Sequence, residues 1–366
     1  LLLSFARIME VDALSHVMRL AIVGISFILA GLTYWLLEGP LRRHPPSRRK
    51  TIALCLALGL IGFVGHANSQ TQNPSPADKI REQQIAMFDG RTMPWYVDDY
   101  CRQRYSTIQK FCRLGKDAPP TVLLIGDSHA TVLFTGVKEA LDKTKDNVLM
   151  MASGIPLYNI DRYDSRDKPG ESKLQMDKAF ELAERTASIH TVILASMGTV
   201  YFTNTTFNGY GPTRVQGQVV QLVNRPEVTD PWQMLDIAMR DTFKRLLARG
   251  KRVIFVLDVP ELGFRPQSCV DMRPVKLTEQ AVRTPCAVPR KDFEARDGAY
   301  RQFVLNVLKD YPKVKVFDAA APLCDQDWCW AIKNDRMLYF DYDHVSLDGS
   351  RLVGKELVNL LYSRAK

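Results

Sequence analysis

The chain has 366 residues, of which 46% are apolar, so it can bury a sizeable core and is not mainly disordered. Its formal net charge is +9, but the segment Arg42–Lys50 alone carries five cations and the remainder is only mildly basic. Outside that segment the sequence shows no zinc-knuckle spacing, RNP-like aromatic motif or cationic helical stripe. Nucleic acid is therefore not expected as a partner.

Two uncharged apolar runs flank the basic segment, Leu20–Leu37 and Thr51–Ala67. The first is about long enough to cross a hydrocarbon core of ~30 Å at ~1.5 Å per residue, and the second is slightly short. A cationic loop between two such runs is typical of the cytoplasmic side of a membrane. We predict transmembrane helices at about 17–37 and 51–67, with everything after about Ser69 on the far side. The alternative is a buried hairpin in a soluble protein.

Cysteine usage bears on this topology independently. Cys55 lies inside the second apolar run, and the other six cysteines follow it as three close pairs. The pairs are Cys101 and Cys112, Cys269 and Cys286, and Cys324 and Cys329. An even number of locally spaced cysteines fits an oxidising compartment, whereas a zinc site is not expected because no Cys-x-x-Cys has a matching second pair. Spacing alone leaves the disulfide pairing open.

The amino-terminal stretch LLLSFARIME reads as the tail of an earlier apolar segment, with no basic region before a signal-cleavage site. This indicates the C-terminal portion of a longer membrane protein. We expect residues 1–67 to belong to the membrane part and residues 68–80, which are polar and contain proline, to be a linker. Residues 81–366 would form an extracytoplasmic domain.

Within that domain, apolar β-type runs alternate with amphipathic helical patterns. The runs are TVLLIG (121–126), NVLMMA (147–152), TVILAS (191–196), RVIFVLDV (252–259) and VKVFDA (314–319). Such alternation predicts an α/β fold with a parallel sheet flanked by helices, whose sites lie at the carboxyl ends of the strands. The segment Tyr201–Asp230 interrupts the pattern and is either a substrate-covering excursion or a plain surface hairpin.

Ser128 comes directly after the first of these runs, within Gly-Asp-Ser-His. A catalytic serine needs a base within hydrogen-bond reach and a group that orients the base, although Gly-Asp-Ser can also be only a turn with a helix N-cap. His129 is a poor partner because neighbouring side chains diverge, and His190 opens an apolar strand. Three other histidines belong to the membrane region or its edge. By elimination His344 is the best base, with Asp341 three residues before it to orient the ring.

A Gly-Asp-Ser block followed near the C-terminus by Asp-x-x-His resembles the SGNH (GDSL-type) hydrolase family. The sequence YWLLEGPLRR, Tyr34–Arg43, resembles the end of the membrane domain of acyltransferase family 3, where Glu-x-Pro follows the closing helix. Together they resemble the fused bacterial acyltransferase-3/SGNH proteins that O-acetylate cell-surface glycans. VPELGF and the Cys324/Cys329 pair also look like this fused subgroup.

The resemblance implies roles for single residues. Ser128 would be the nucleophile, His344 its base and Asp341 the orienting carboxylate. The N–H of Gly154 would join that of Ser128 in an oxyanion hole, although Gly154 is also explained by a tight turn before Pro156.

The third block departs from the family pattern. Simple members carry an asparagine soon after the next strand as an oxyanion donor, but this chain has Met197 and Gly198 there, with Asn204 well downstream. Either a backbone N–H substitutes, or Asn204 reaches back, or oxyanion stabilisation is weak and turnover is slow.

The resemblance implies transfer of an acyl group, expected to be acetyl, to a hydroxyl of a cell-surface glycan such as O-antigen through a serine acyl-enzyme. The protein would lie in the bacterial inner membrane, in contact with lipid, with its SGNH-like domain in the periplasm. Acyl-CoA would be the ultimate donor for the full-length protein, with no cofactor in this fragment and no metal needed. Two alternatives stay open: a carbohydrate O-acetyl esterase with the same residues, and a non-catalytic glycan-binding module.

Overall fold

The structure is a computed structural model that describes residues 2–9, 15–40, 47–70, 76–87, 95–96, 98–105, 108–165, 167–207, 212–214, 217–271 and 282–363. It divides into two compact units. The first comprises Leu1–Lys79 and Val270–Arg283, and the second comprises Ile80–Cys269 and Thr284–Lys366. Each unit is considered by itself. Part of the basic segment between the two apolar runs lies outside the described residues.

The α-helices are α1 (Leu2–Met9), α2 (His16–Thr33), α3 (Arg48–Gln70), α4 (Pro76–Met87), α5 (Asp99–Tyr105), α6 (Ser128–Leu141), α7 (Glu171–Arg185), α8 (Gly198–Thr203), α9 (Pro231–Ala248), α10 (Arg290–Leu308) and α11 (Leu347–Tyr362). A π-helical turn, Tyr34–Glu38, continues α2, and a 3₁₀ turn spans Pro266–Cys269.

The strands are β1 (Phe111–Leu114), β2 (Val122–Gly126), β3 (Val148–Ala152), β4 (Ile160–Tyr163), β5 (Thr191–Ala195), β6 (Thr205–Phe207), β7 (Pro212–Arg214), β8 (Val219–Leu222), β9 (Arg252–Leu257), β10 (Ala287–Pro289), β11 (Val314–Asp318), β12 (Trp328–Trp330), β13 (Ile332–Lys333) and β14 (Arg336–Met337).

In the first unit, both predicted apolar segments are helical. Among the described residues, His16–Leu36 is the one helix long and apolar enough to cross a membrane. The apolar part of α3, Thr51–Ala67, is shorter. No residue of α2 is buried, and apolar side chains of both helices are exposed, as a lipid-facing helix requires. That either helix crosses a membrane stays a prediction.

The predicted linker, residues 68–80, is partly helical instead. Residues 68–70 complete α3 and residues 76–80 begin α4, while residues 71–75 lie outside the described part of the chain. Pro76 stands at the first position of α4, where a proline's missing N–H costs nothing because no intrahelical acceptor exists there. That residues 68–80 act as a linker stays a prediction.

The second unit is built on one six-stranded sheet in the order β1-β3-β2-β5-β9-β11. The five strands from β3 to β11 are parallel, and β1 runs antiparallel at the edge. The five predicted apolar runs supply these five parallel strands. Four of them, β2, β3, β5 and most of β9, are fully buried because helices cover both faces of the sheet. The predicted α/β fold is thus confirmed.

Alternate residues of each strand enter two different cores, as the two-residue period of a strand requires. Leu123 and Ile125 pack into one core with α7, α9 and α10. Val122 and Leu124 pack into the other, with α6 and α11. The α6/α11 contact is close: a Cβ on Gly136 would lie 1.8 Å from the carbonyl oxygen of Ser350, so only glycine fits. This packing fixes the start of α6 relative to the loop before α11.

The remaining strands form small two-stranded sheets, β4 with β8, β6 with β7, β10 with β12 and β13 with β14. The excursion Tyr201–Asp230 contributes to two of them, because its first part supplies the β6/β7 hairpin and β8 pairs with the distant β4. It is therefore more than a single surface hairpin.

The cysteines of the second unit form the three close pairs. The disulfides are Cys101–Cys112, Cys269–Cys286 and Cys324–Cys329. Cys55 in α3 is free and exposed. The open question of pairing is thus resolved in favour of the nearest neighbours in sequence.

Candidate active site

Ser128 is the first residue of α6 and follows β2 after a turn of one residue. That residue, Asp127, is buried and is the N-cap of α6, with its Oδ1 accepting from the His129 N–H at 2.8 Å. Its Oδ2 accepts from the Met197 N–H at 3.1 Å and the Tyr201 hydroxyl at 2.7 Å. Asp127 therefore ties the serine turn to the segment that follows β5. Ser128 itself keeps part of its surface exposed.

Gly126 permits the close approach on which this turn depends. A Cβ at that position would lie 1.7 Å from the carbonyl oxygen of Ala195 in β5 and 2.9 Å from the Cβ of Ala130. No side chain can be accommodated against a backbone oxygen at that distance. The glycine of the Gly-Asp-Ser block is thus required by packing between β2 and β5 as well as by the turn.

The structure brings Ser128, His344 and Asp341 together. Ser128 Oγ lies 2.8 Å from His344 Nε2, and His344 Nδ1 lies 3.0 Å from Asp341 Oδ2 and 3.2 Å from Oδ1. The serine stands at the carboxyl end of β2, and the histidine and aspartate stand in the loop before α11. Their roles stay predictions, but the spacing is that of a nucleophile, its base and the group that orients the base.

The Asp341–His344 turn is held by its own backbone. Asp341 Oδ1 accepts from the N–H groups of Asp343 at 3.0 Å and His344 at 2.8 Å. These bonds make Oδ1 a committed acceptor and leave Oδ2 nearest to the imidazole. The ring of Trp95 packs edge-on against the imidazole, with centroids 5.3 Å apart. The ring of His344 is therefore restrained on two sides.

A second carboxylate, which the sequence analysis did not single out, contacts the same imidazole nitrogen. Asp343 Oδ1 lies 2.8 Å from His344 Nδ1, and Asp343 is buried. Burial lowers the pKa of His344, but the hydrogen bond with Asp341 and the close carboxylate of Asp343 outweigh it and raise the pKa to about 9. Burial raises the pKa of Asp341, and its hydrogen bond with His344 outweighs that and holds the pKa well below the usual range.

His129 was predicted to be a poor partner for Ser128, and its ring nitrogen Nδ1 instead contacts Asp258 Oδ1 at 2.9 Å. Asp258 follows β9, so it lies at the same edge of the sheet as Ser128. The rings of His129 and His344 are 4.8 Å apart between centroids. Single ligand atoms of His129, Asp343 and His344 lie within 4.8 Å of one another.

The other histidines are elsewhere. His190 precedes β5, at the amino edge of the sheet, and its Nε2 lies 3.2 Å from Asp146 Oδ1. His16 and His66 belong to helices of the first unit, and His44 lies outside the described residues. Of the histidines weighed as a base for Ser128, His344 is thus the one whose ring nitrogen contacts the serine hydroxyl.

Gly154 and Asn204, the two oxyanion candidates besides Ser128, are not arranged as predicted. The Gly154 N–H donates to the Gly126 carbonyl at 3.0 Å, so it is already used within the turn after β3. The N–H of Ser128 stands at the first position of α6, where a helix provides no acceptor of its own. Ser128 is therefore the stronger of the two predicted backbone donors.

Asn204 does not reach back towards the serine. It caps the C-terminus of α8 in the left-handed conformation, with φ of 53°. It lines a cavity of about 520 Å³ together with Gln218 and Met234. Ser128, His344 and Asp341 do not line that cavity. The role proposed for Asn204 in the oxyanion hole has no support from this placement.

Comparison with known proteins identifies the family and the fold. The family model for "SGNH domain (fused to AT3 domains)" matches residues 96–359. No curated protein sequence matches the chain. The fold is similar to the periplasmic domain of a lipopolysaccharide acetyltransferase from Salmonella ser. Paratyphi A, with a TM-score of 0.50 and 16% identity, covering 78% of this chain and 97% of that one.

A second similar structure is a protein of Bacteroides fragilis NCTC 9343 assigned as an acylhydrolase, with a TM-score of 0.34 and 10% identity, covering 73% of this chain and 98% of that one. That score is too low to support an argument. The match to the family model, by contrast, extends over more than half of the chain and includes the serine turn and the Asp-x-x-His loop. The chain therefore belongs to the SGNH domain family.

Proposed function

We propose that this protein transfers an acyl group, expected to be acetyl, to a hydroxyl of an extracytoplasmic glycan through Ser128. The observation that carries the proposal is the continuous hydrogen-bonded series from Ser128 through His344 to Asp341, placed at the carboxyl edge of the sheet in an SGNH domain. Support for the transferase class comes from the shared fold of the lipopolysaccharide acetyltransferase domain.

In the first step, the Ser128 Oγ would attack the carbonyl carbon of the acyl donor while its proton passes to His344 Nε2. Asp341 would hold the Nδ1–H and favour the imidazolium that forms. The Ser128 N–H would donate to the developing oxyanion. Collapse of the tetrahedral species would pass the proton from His344 to the leaving group and leave an acyl ester on Ser128.

In the second step, His344 would take the proton of a sugar hydroxyl, whose oxygen attacks the acyl carbon. The ester bond to Ser128 then breaks and the proton returns to its Oγ. Water in place of the sugar would make the protein an esterase, so the two activities share every protein group. They differ only in what attacks the acyl-enzyme.

Three disulfides in the second unit support an oxidising compartment, and the apolar helix α2 supports attachment to a membrane. We therefore place the SGNH domain in the periplasm, anchored at a bacterial inner membrane. The ultimate donor would be acyl-CoA used by an acyltransferase-3 domain, and the acceptor an O-antigen or similar glycan. No nucleic-acid partner follows from any of these features.

The proposal is tested by hydrolysis of a chromogenic acetyl ester by the full chain in detergent, with and without a lipopolysaccharide-derived glycan. Ser128→Ala should abolish release. Ser268→Ala is the matched control, because the Ser268 hydroxyl donates to the nearby Arg265 carbonyl at 2.7 Å and should not affect release. Mass spectrometry of the glycan then identifies the acceptor.

Serine-dependent release together with an acylated glycan supports the transferase. Release with an unmodified glycan assigns the protein to the esterases. Equal release by wild type and Ser128→Ala contradicts a serine acyl-enzyme. If the folded wild type releases nothing and acyl transfer in cells survives the loss of both Ser128 and His344, the domain is a glycan-binding module instead.

A further inference from the structure

A second histidine–carboxylate pair lies beside the first. His129 is 2% exposed, and its Nδ1 is held by Asp258 Oδ1 at 2.9 Å. Burial lowers the pKa of His129, but Asp258 outweighs it and raises the pKa to about 10. Burial also raises the pKa of Asp258, and the His129 charge opposes that rise. The contact with Asp258 therefore favours the protonated form of His129.

The remaining nitrogen of His129, Nε2, is buried and has no hydrogen-bond partner among the described residues. An unsatisfied buried polar atom is costly and calls for a specific reason. Helix packing alone provides none, because an apolar side chain would fill the same position without that cost. The imidazole of His344 lies close to that of His129, with ring centroids 4.8 Å apart.

From this geometry we propose that His129 and Asp258 are positioning residues that hold a buried positive charge beside His344 and so oppose the protonation of His344, the base that takes the Ser128 proton. The proposal rests on the proposed function, in which His344 is the base. His129 touches neither substrate nor reacting atom in this account and acts through His344.

The need for such a charge follows from the carboxylates around the base. Asp341 and Asp343 both contact His344 Nδ1 and favour its protonated form, whereas the charge on His129 opposes it. A base that is already protonated cannot take the serine proton. His129 thus offsets part of the effect of two carboxylates where a typical triad has one.

The charged groups that face the rings of His129 and His344 come from the serine turn, the end of β9 and the loop before α11. Asp127 in the serine turn, Asp258 after β9 and Asp343 before α11 favour a charged His129. Asp341 and Asp343 face His344. Among these groups, His129 is the one that lowers the pKa of His344 by its charge.

The test uses His129→Gln in the full chain and the pH dependence of kcat/KM for serine-dependent ester hydrolysis. Two unit charges about 5 Å apart in a protein shift each other's pKa by about two units at an effective dielectric constant of about 20. The acidic limb of the pH–rate profile should therefore move to higher pH by about two units. Activity on the alkaline plateau should fall less than activity at neutral pH.

Asp258→Asn is the second variant, because it removes the carboxylate that keeps His129 charged, and its limb should move in the same direction. His190→Gln is the matched control. His190 also contacts a carboxylate, Asp146, but lies at the opposite edge of the sheet, so its loss should leave the limb in place.

A purely structural role for His129 would lower kcat/KM equally at all pH values and leave the limb unmoved, and this result would overturn the proposal. So would a limb that moves to lower pH. Retained near-UV circular dichroism identifies the variants that are folded.

An independent readout does not need turnover. The six histidines can be followed by NMR of ¹³C-labelled imidazoles during a pH titration, with His344 assigned by its loss in His344→Gln. The His344 midpoint should rise in His129→Gln, and an unchanged or lower midpoint contradicts the proposal. Hydrolysis that survives in Ser128→Ala would refute the proposed function. A higher His344 midpoint in His129→Gln would still support the electrostatic coupling between the two histidines.

Discussion

Replacing Asp341 with asparagine should invert the hydrogen bonding of His344. Asp341 Oδ1 accepts two backbone N–H groups, at 3.0 and 2.8 Å, and an asparagine keeps its one acceptor oxygen there. Its NH₂ group then takes the place of Oδ2, which lies 3.0 Å from His344 Nδ1. An NH₂ group donates, so the imidazole carries its proton on Nε2 and cannot accept from Ser128.

The second carboxylate on His344 reduces the expected loss. In a Ser-His-Asp triad the wrong tautomer costs about ten-thousand-fold in kcat. Asp343 Oδ1 lies 2.8 Å from the same Nδ1 and, although it makes no hydrogen bond in this arrangement, its charge still favours a proton on Nδ1. We expect a loss of about a hundredfold for Asp341→Asn, or roughly 2.7 kcal/mol of activation free energy. Asp343→Asn should lose at most about tenfold, and the double variant about ten-thousand-fold.

The pH profile provides a second measure of the same change. Asp341 and Asp343 raise the pKa of His344 to about 9, so removing either carboxylate lowers that pKa. The rate depends on unprotonated His344, and its acidic limb should therefore move to lower pH. This direction is opposite to that expected for His129→Gln.

The assay is kcat and kcat/KM for the chromogenic acetyl ester across the pH range, for both single variants and the double variant. If the fold-losses in kcat of the two single variants multiply to give the loss of the double variant, the carboxylates act independently. That result would contradict the expectation that Asp343 partly replaces Asp341 when Asp341 is lost. An equal or larger loss for Asp343→Asn than for Asp341→Asn would reverse their assigned order. Near-wild-type kcat in Asp341→Asn would refute the orienting role altogether.

Three further predictions concern stability, each measured by thermal or denaturant unfolding of the full chain. Gly126→Ala should lower the free energy of unfolding by about 3 kcal/mol, because its Cβ meets the backbone of β5, whereas Gly298→Ala, in open space within α10, should be neutral or stabilising. Burial raises the pKa of Asp297 to about 7, above its value in the unfolded chain. The folded state therefore binds a proton more tightly than the unfolded state, and the free energy of unfolding falls as the pH rises from about 4 to 7. Asp297→Asn should raise the free energy of unfolding at about pH 8 and change it little at about pH 4. Replacing both Cys101 and Cys112 with serine opens a loop of sequence separation 11 and should cost about 3 kcal/mol, and an unchanged midpoint would show that the loop is held by other contacts.

The parallel sheet was predictable because its strands are mostly apolar runs bounded by polar turns. The edge strand β1 was missed, because FCRL is only four residues long, contains Arg113 and pairs antiparallel with β3. The β4/β8 pair was missed for a related reason. It joins residues that are far apart in sequence, and no local pattern reports such pairing.

In the site, local motifs singled out Ser128, His344 and Asp341, which the structure brings together; their roles stay predictions. Asp343 stands two residues from Asp341 in the same loop, but the backbone turn that brings both carboxylates to one nitrogen is not evident from the spacing. Asp258 had a usable signal, since it ends the apolar run RVIFVLDV at the edge where sites form. Its partner His129 could be identified only once the rotation of α6 was known.

The distance along the chain between the serine and its base has a consequence for biosynthesis. His344 follows Ser128 by 216 residues, so the two are never present together until nearly all of the second unit has been made. At ~5–20 residues per second, that interval is roughly 10–40 s. During this time the nascent chain carries a serine without its base, and an acyl ester cannot form on it prematurely. The order of residues along the chain thus delays the onset of chemistry until folding is almost complete.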